Sequence, residues 1–321
     1  MTIESVRINA LRSDILHLII MPTERCNFRC TYCYEDFKIG RMPPAIVGGI
    51  KKLLRKRIGE LTSLHIGWFG GEPTLATDIV RDINNAVLEV KTDQLEFSSS
   101  MSTNGWLLNE QVFRSLVMAG VTTYQISIDG LGEWHDKTRV TAGGAGTFDR
   151  IVQNVKNAMA LREDFRIALR LHVSEENCAS MEPLIDYLAG LFGEDGRIKI
   201  YVKEIEPLGS ANDRHFRFLR RPGFMDQLRR RVREAGMWES GGQPVACYAA
   251  LPTSLVIRAD GRIAKCTVAL KDDRNTLGSI NQDGEIKIDS DKLKPWIVGV
   301  LTGDEAALHC PLSVMDRQLA H

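Results

Sequence analysis

The chain has 321 residues, 44% hydrophobic and 26% charged, with 27 Gly and 11 Pro. That length fits one large domain or a domain with an appendage, and the usage is globular rather than disordered, collagenous or coiled-coil. Forty-one basic side chains balance forty-one acidic ones, which excludes capture of nucleic acid or an anionic membrane by overall charge.

The first apolar run, residues 15–21, is β-branched and suits a strand buried on both faces of a parallel sheet. It is too short for a signal sequence with its cleavage site, and no stretch reaches the roughly 20 apolar residues that span a bilayer. The reading is a cytoplasmic protein with no membrane or nucleic-acid partner. After a cysteine-bearing loop, Ile46, Val47, Ile50, Leu53, Leu54 and Ile58 recur at helical spacing behind Pro43 and Pro44. Strands then alternate with helices: strand 64–69, helix 78–91, strand 95–100, helix 109–119, strand 122–128, helix 148–162, strand 166–173, helix 181–192 and strand 197–202. Such alternation predicts parallel strands wrapped by helices, in an open doubly wound sheet or a full or partial barrel, with the active site at the carboxyl ends of the strands.

Past residue 202 the pattern changes. The arginines from Arg214 to Arg233 predict one or two short helices, their charge available to an acidic peptide or a phosphate-bearing substrate, or simply to solvent. Residues 254–266 and 277–288 read as hairpins turning at Asp260-Gly261 and Asp283-Gly284. Three regions are expected: a core over 1–210, a basic linker over 211–240 and a cysteine-bearing C-terminal domain over 241–321.

Seven cysteines, an odd number, point in a reducing compartment to metal or redox chemistry rather than disulfides. Cys26, Cys30 and Cys33 follow the first strand as C-x-x-x-C-x-x-C. A zinc site would recruit a fourth protein ligand, and a three-cysteine iron–sulfur cluster would leave one iron open to an exogenous ligand. Three unrelated buried thiols are the plainer alternative. Behind the second strand, Gly70 and Gly71 let backbone approach a ligand closely and Glu72 can accept from an ammonium group, although Gly70 to Pro73 would equally make a turn. Ser102 to Gly105 and Ser127 to Gly130 place small hydrogen-bonding side chains at the ends of the next two strands, as ligand contacts or as caps.

With its surroundings, the cysteine loop resembles that of the radical S-adenosylmethionine (SAM) enzymes, in the sulfatase-maturase-like branch that modifies peptides and carries a SPASM or shorter twitch extension. Cys33-Tyr34-Glu35 matches that branch, and so do His135, Asp136, Gly144, Gly146, Thr147 and Phe148. The resemblance implies a partial (β/α)6 TIM-like barrel followed by a small C-terminal module of β-hairpins and helix. Cys26, Cys30 and Cys33 would hold a 4Fe-4S cluster whose open iron is chelated by SAM. Reductive cleavage of SAM would then give a 5'-deoxyadenosyl radical that abstracts hydrogen from the substrate.

Carried over residue by residue, Tyr32 lies near the adenine, Gly70, Gly71, Glu72 and Pro73 bind the SAM amino group, Asn104 and Ser127 contact SAM, and Arg139 pairs with its carboxylate. Cys247, Gly261, Cys266 and the run Leu277 to Ile280 resemble the opening of the C-terminal extension. They imply one auxiliary 4Fe-4S cluster on Cys247, Cys266 and Cys310, its fourth position open, filled by His309 or taken by Cys178. The chain departs here from the full SPASM pattern of seven cysteines.

The implied partners are a precursor peptide or protein, which would be crosslinked, oxidised or epimerised, and an electron donor such as flavodoxin or ferredoxin. The 14 residues before the first strand leave no room for a separate leader-binding domain, so the core, the tail or another protein would recognise the peptide. Two alternatives stand beside this reading: a radical SAM dehydrogenase of a small molecule, and a non-catalytic iron–sulfur protein. The catalytic acid or base is unassigned, with Glu204, Glu206 and His172 as strand-borne candidates.

Overall fold

Ile15–Ile20 forms β1 with its last three residues buried, as an apolar run between two neighbouring strands requires. In chain order the elements are α1 (Ile3–Ala10), β1, α2 (Pro44–Arg57), β2 (Ser63–Trp68), α3 (Thr77–Leu88) and β3 (Glu96–Thr103). Next come α4 (Glu110–Met118), β4 (Val121–Ile128), α5 (Glu133–Asp136), α6 (Phe148–Met159), β5 (Arg166–Val173), α7 (Cys178–Phe192) and β6 (Ile198–Glu204). The rest comprises α8 (Phe224–Glu234), β7 (Trp238–Glu239), β8 (Ser254–Ile257), β9 (Arg262–Ala264), β10 (Gly278–Ile280), β11 (Ile286–Ile288), α9 (Ser290–Thr302), α10 (Glu305–His309) and α11 (Pro311–Leu319). The structure, a computed structural model, describes residues 2–208, 211–214, 216–239 and 245–319, and the domain boundaries expected at 210 and 240 lie outside them.

The chain divides into two units. The first comprises Met1–Arg25, Lys38–Ser99 and Gln243–His321. Here β1 pairs in parallel with β2 along its whole length and, on its other side, with β8 from His17↔Ser254 to Ile20↔Ile257. The hairpins expected after residue 250 form as β8–β9 and β10–β11, with Gly261 and Gly284 at positive φ in their turns. The C-terminal segment therefore continues from β1 by hydrogen bonds. Its helices bury Trp296, Val300, Leu308 and Met315 against Ala10, Ala249, Ala250 and Leu277. The helix expected in the C-terminal module is three helices, α9 to α11, and α1 is an element without a counterpart among the predicted ones.

The second unit comprises Cys26–Phe37 and Ser100–Gly242, with β4, β5, β6 and β7 paired in parallel in that order. One face of these strands is apolar: Tyr124, Ile126, Ile128, Leu169, Leu171, Ile200 and Val202 are all buried. The alternate positions, among them Gln125, Ser127, Arg170, Lys199 and Tyr201, are only partly buried. Period-2 alternation within a parallel set means that the second face is a polar lining rather than a second apolar layer. Helix α6 presents Phe148, Ile151, Val152, Val155 and Ala158 as a buried stripe, and the Asn109 carboxamide caps α4 by accepting from Val112 N at 3.0 Å.

The basic stretch resolves into a short turn at Ala211–Arg214 and α8. Four of its arginines are paired with carboxylates. Arg221 pairs with Glu175 at 3.0 Å, Arg229 with Asp226 at 2.7 Å, Arg231 with Asp186 and Arg233 with Glu239 at 3.4 Å.

Candidate active site

The cysteine loop is held as an extended edge. Arg29 N donates to Val140 O at 2.9 Å, Thr31 N to Thr138 O at 3.0 Å, and Ala142 N to Asn27 O at 2.7 Å. Phe28, only 1% exposed, anchors it against Trp106 with ring centroids 6.1 Å apart. Between these anchors Cys26, Cys30 and Cys33 are half-buried, and Cys33 N closes a turn on Cys30 O at 3.1 Å. The Cys26 sulfur accepts from Phe28 N at 3.3 Å, and the Asn104 carboxamide stands 4.0 Å from it while donating to Asn27 Oδ1 at 2.8 Å. Burial, then the neighbouring charge of Cys30, push the Cys33 thiol up to about 12. Thiols that oppose one another's ionisation are reconciled by a bound cation, which holds each as thiolate.

Tyr32, between the second and third cysteines, reaches into a buried polar cluster. Its hydroxyl accepts from an Arg139 guanidinium nitrogen at 2.7 Å and lies 3.1 Å from His172 Nδ1. That nitrogen is 3.4 Å from Asp129 Oδ1. Burial holds the Tyr32 phenol well above its ordinary range, and it pushes His172 down to about 4, with Arg170 adding to the effect. Burial alone would raise the Asp129 carboxyl, but Arg139 and then His172 outweigh it, so Asp129 stays ionised. Asp129 Oδ1 and Arg139 Nε, 4.0 Å apart, are both buried without a hydrogen-bond partner. Asn177 ties the ends of two strands together, donating to Asp129 O at 2.6 Å and to His172 O at 2.8 Å.

The motif from His135 to Phe148 braces this cluster. Asp136 Oδ1 accepts from Thr147 N at 2.6 Å and Phe148 N at 3.0 Å, capping α6. His135 Nδ1 accepts from Asp129 N at 3.1 Å, and its Nε2 lies 3.0 Å from the Thr147 hydroxyl, which donates to Arg139 O at 2.6 Å. Ser127 lies on the polar face of β4, in register with Arg170.

In the first unit, the loop that ends β2 presses on the chain just before the cysteine loop. A Cβ on Gly70 would lie 2.2 Å from Thr23 O, and one on Gly71 would lie 2.4 Å from Arg25 O. Only glycine fits that approach. Glu72 N donates to Arg25 O at 2.9 Å, and the buried Glu72 carboxylate accepts from Thr74 N at 3.0 Å and its hydroxyl at 2.6 Å, capping the turn that Pro73 opens. Beside it Glu24 and Arg258 make a buried bidentate ion pair, which the sequence reading missed. Farther along, Cys247 and Cys266 are half-buried beside Trp296 and Met315, whereas Cys310 is exposed. Burial raises both half-buried thiols, and the Cys310 charge adds to each. In the second unit Cys178 opens α7, donating to Ser174 O at 3.1 Å. Among the described residues no three His, Cys, Asp or Glu side chains gather closely enough to ligate a single ion.

Residues 20–187, more than half the chain, match the radical SAM superfamily. The chain belongs to that superfamily. Three relatives of this radical SAM chain are each 26% identical to it. They are an Fe-coproporphyrin III synthase of Methanosarcina barkeri (52% of this chain, 39% of that protein), a cysteine-type anaerobic sulfatase-maturating enzyme of Clostridium novyi (62% and 54%) and a GTP 3',8-cyclase of Desulforamulus reducens (62% and 58%). The chain thus spans about half the length of the curated relatives it matches.

Among solved structures it resembles anSMEcpe with bound AdoMet and Cp18Cys peptide, at TM-score 0.65 and 19% identity over 87% of this chain and 80% of that one. It also resembles Streptococcus suis SuiB bound to the precursor peptide SuiA, at TM-score 0.61 and 17% identity over 94% and 69%. These likenesses show the fold: α/β with parallel strands, open rather than closed, the partial barrel of the family. The radical SAM chain is an enzyme, and SAM and a 4Fe-4S cluster are its family's cofactors. The residues of the second unit fit them, with three thiols on one anchored loop and, in the cluster that Tyr32 reaches, a buried Arg139 Nε–H without a hydrogen-bond partner. Among the described residues no helix is long and apolar enough to cross a membrane.

Proposed function

We propose that this radical SAM enzyme modifies a ribosomally made peptide or protein, by crosslinking, oxidation or epimerisation. The observation that carries the reading is the anchored loop of Cys26, Cys30 and Cys33, with the Tyr32 hydroxyl bonded to Arg139. The names of one relative and two structural neighbours, a sulfatase-maturating enzyme and two proteins solved with peptides, support a peptide substrate. Residues 241–321 are then the truncated auxiliary domain, with Cys247, Cys266 and Cys310 as ligands of a second 4Fe-4S cluster, and residues 1–210 the core.

In this reading Cys26, Cys30 and Cys33 would hold the 4Fe-4S cluster. When bound, the cluster and SAM supply one-electron cleavage of the sulfonium C–S bond and a carbon radical able to take hydrogen from the substrate. The chain's own residues bind and orient. The family resemblance gives Gly70, Gly71, Glu72 and Pro73 to the SAM amino group; the two glycines themselves pack on the carbonyls of Thr23 and Arg25, and Glu72 and Pro73 shape the turn. Asn104 and Ser127 contact SAM, and Arg139 offers its unpaired Nε–H to the carboxylate while Tyr32 and Asp129 hold its plane. Phe28 and Tyr32 keep water from the loop. Electrons come from a carrier such as flavodoxin or ferredoxin.

A small-molecule substrate is the second reading, favoured by the GTP 3',8-cyclase and Fe-coproporphyrin III synthase relatives. Mass spectrometry decides between them. Reconstituted enzyme, SAM and reductant are incubated with candidate precursor peptides and, separately, with GTP. A peptide mass change dependent on SAM supports the first reading, and turnover of GTP with every peptide unchanged overturns it.

A further inference from the structure

Four arginines of the basic stretch, Arg221, Arg229, Arg231 and Arg233, are paired with carboxylates, but two cations on the polar face of β5 and β6 are not. Arg170 lies on β5 between Ser127 and Tyr201 in register. Its guanidinium carbon is 5.8 Å from the centroid of the Tyr201 ring, and its Nε is buried without a hydrogen-bond partner. Lys199 lies on β6 in register with Trp238 of the short edge strand, its Nζ 5.7 Å from that ring's centroid. Among the described residues neither cation has a carboxylate within ion-pair distance, whereas Lys203 of the same face is paired with Glu206 at 2.8 Å. An unmet buried N–H costs about 1–3 kcal/mol, and a fold retains that cost where a ligand meets it.

The position suits a substrate. His172 follows Arg170 by two residues on the same face, about 7 Å along the strand, and touches Tyr32 of the cysteine loop. An anion held at Arg170 thus lies about one or two residues' length from the reacting centre proposed above. Trp238, 67% exposed, and Tyr201 offer flat walls for the stem that carries the anion.

We propose that Arg170 and Lys199 form a subsite that binds a carboxylate of the peptide substrate, with Tyr201 and Trp238 as its walls. This rests on the peptide reading above. The guanidinium fork accepts a planar carboxylate through two N–H groups, and Lys199 adds a point charge. The carboxylate comes from an Asp or Glu side chain or from the peptide's own C-terminus.

Three probes separate these sources in calorimetric titrations of the reconstituted full chain: N-acetyl-pentaglutamate amide, N-acetyl-pentaalanine free acid and N-acetyl-pentaalanine amide. The proposal expects one acidic probe to bind at least about tenfold more tightly than the amide, with the preference weakening as salt rises. Preference for the first acidic probe assigns side-chain carboxylates, and preference for the second assigns the chain end. The Arg170→Gln/Lys199→Gln double variant should abolish the preference. Should it fail to fold by circular dichroism, Lys199→Gln alone should reduce the preference about threefold.

Equal binding of all three probes by the wild type, or an undiminished preference in the variant, overturns the proposal. So does a loss of SAM affinity in the variant matching the loss for the probes, which would hand the pair to the SAM carboxylate. Formation of 5'-deoxyadenosine by the wild type is read in parallel. Its absence counts against the radical-chemistry reading and leaves the carboxylate preference to be judged by itself.

Discussion

Arg258 grips both carboxylate oxygens of Glu24, at 3.0 and 2.6 Å, across 234 residues of sequence. Both side chains are nearly fully buried, and Arg258 also donates to Leu270 O at 2.7 Å. The pair fixes the carbonyls of residues 23 and 25 against Gly70 and Gly71, so the C-terminal hairpin helps shape the cradle in its own unit. Removing one member leaves an uncompensated buried charge. Arg258→Ala should destabilise the protein by about 3–5 kcal/mol in urea unfolding, whereas the Glu24→Gln/Arg258→Gln double variant should recover part of that loss. Equal losses in the two would show that the pair acts only through packing.

Tyr32 offers its hydroxyl to Arg139 and His172, so Tyr32→Phe strands a buried guanidinium N–H. A loss of about 1–3 kcal/mol in stability is expected, with the iron content after anaerobic reconstitution unchanged because no thiol is touched. Loss of iron in this variant would show that the hydroxyl supports the cysteine loop itself.

Acid should weaken the fold through His135. Burial holds this side chain at about 4, below the ordinary value near 6.5, and its Nδ1 accepts from Asp129 N. The unfolded chain therefore binds more protons than the folded one between those values. The stabilisation is fully present above pH 6.5 and is lost as pH falls toward 4, with a slope of up to about 1.4 kcal/mol per pH unit for one such group. His172, also held at about 4, adds to it. Unfolding free energies from pH 7.5 to 4.5 should fall accordingly, and His135→Gln should flatten the slope. An identical slope in that variant would remove His135 from the explanation.

Cys247, Cys266 and Cys310 make a prediction separate from the first cluster. Cys266→Ala should lower the iron bound by about four per chain while leaving reductive SAM cleavage measurable. Unchanged iron would mean that the trio holds no auxiliary cluster.

Legibility in the sequence followed the range of the forces. Strand β5 lies at the predicted 166–173, since alternation and β-branching are written locally. Helix α7 begins at Cys178, three residues earlier than read, because Asn177 spends its carboxamide on Asp129 O and His172 O, contacts without a local pattern. Helix α1 was missed because its eight residues bury only Val6 and Ala10, and α9 was obscured by Pro295 inside it. Among the candidate residues, the cysteine spacing and the Gly-Gly pair carry a local pattern in the sequence. The bonds of Tyr32 to Arg139 and His172 span 107 and 140 residues and leave no spacing signal. The pairing of Arg221 with Glu175 and of Arg231 with Asp186 is equally silent in the sequence, because each partner lies 45 or 46 residues away.

The most direct test compares the wild type with a variant carrying Ala at positions 26, 30 and 33, both reconstituted without oxygen and given SAM and dithionite. The account predicts a brown wild type that forms methionine and 5'-deoxyadenosine, and a variant that loses about four irons and forms neither. A variant that still released 5'-deoxyadenosine, or a colourless wild type that bound zinc instead, would contradict it.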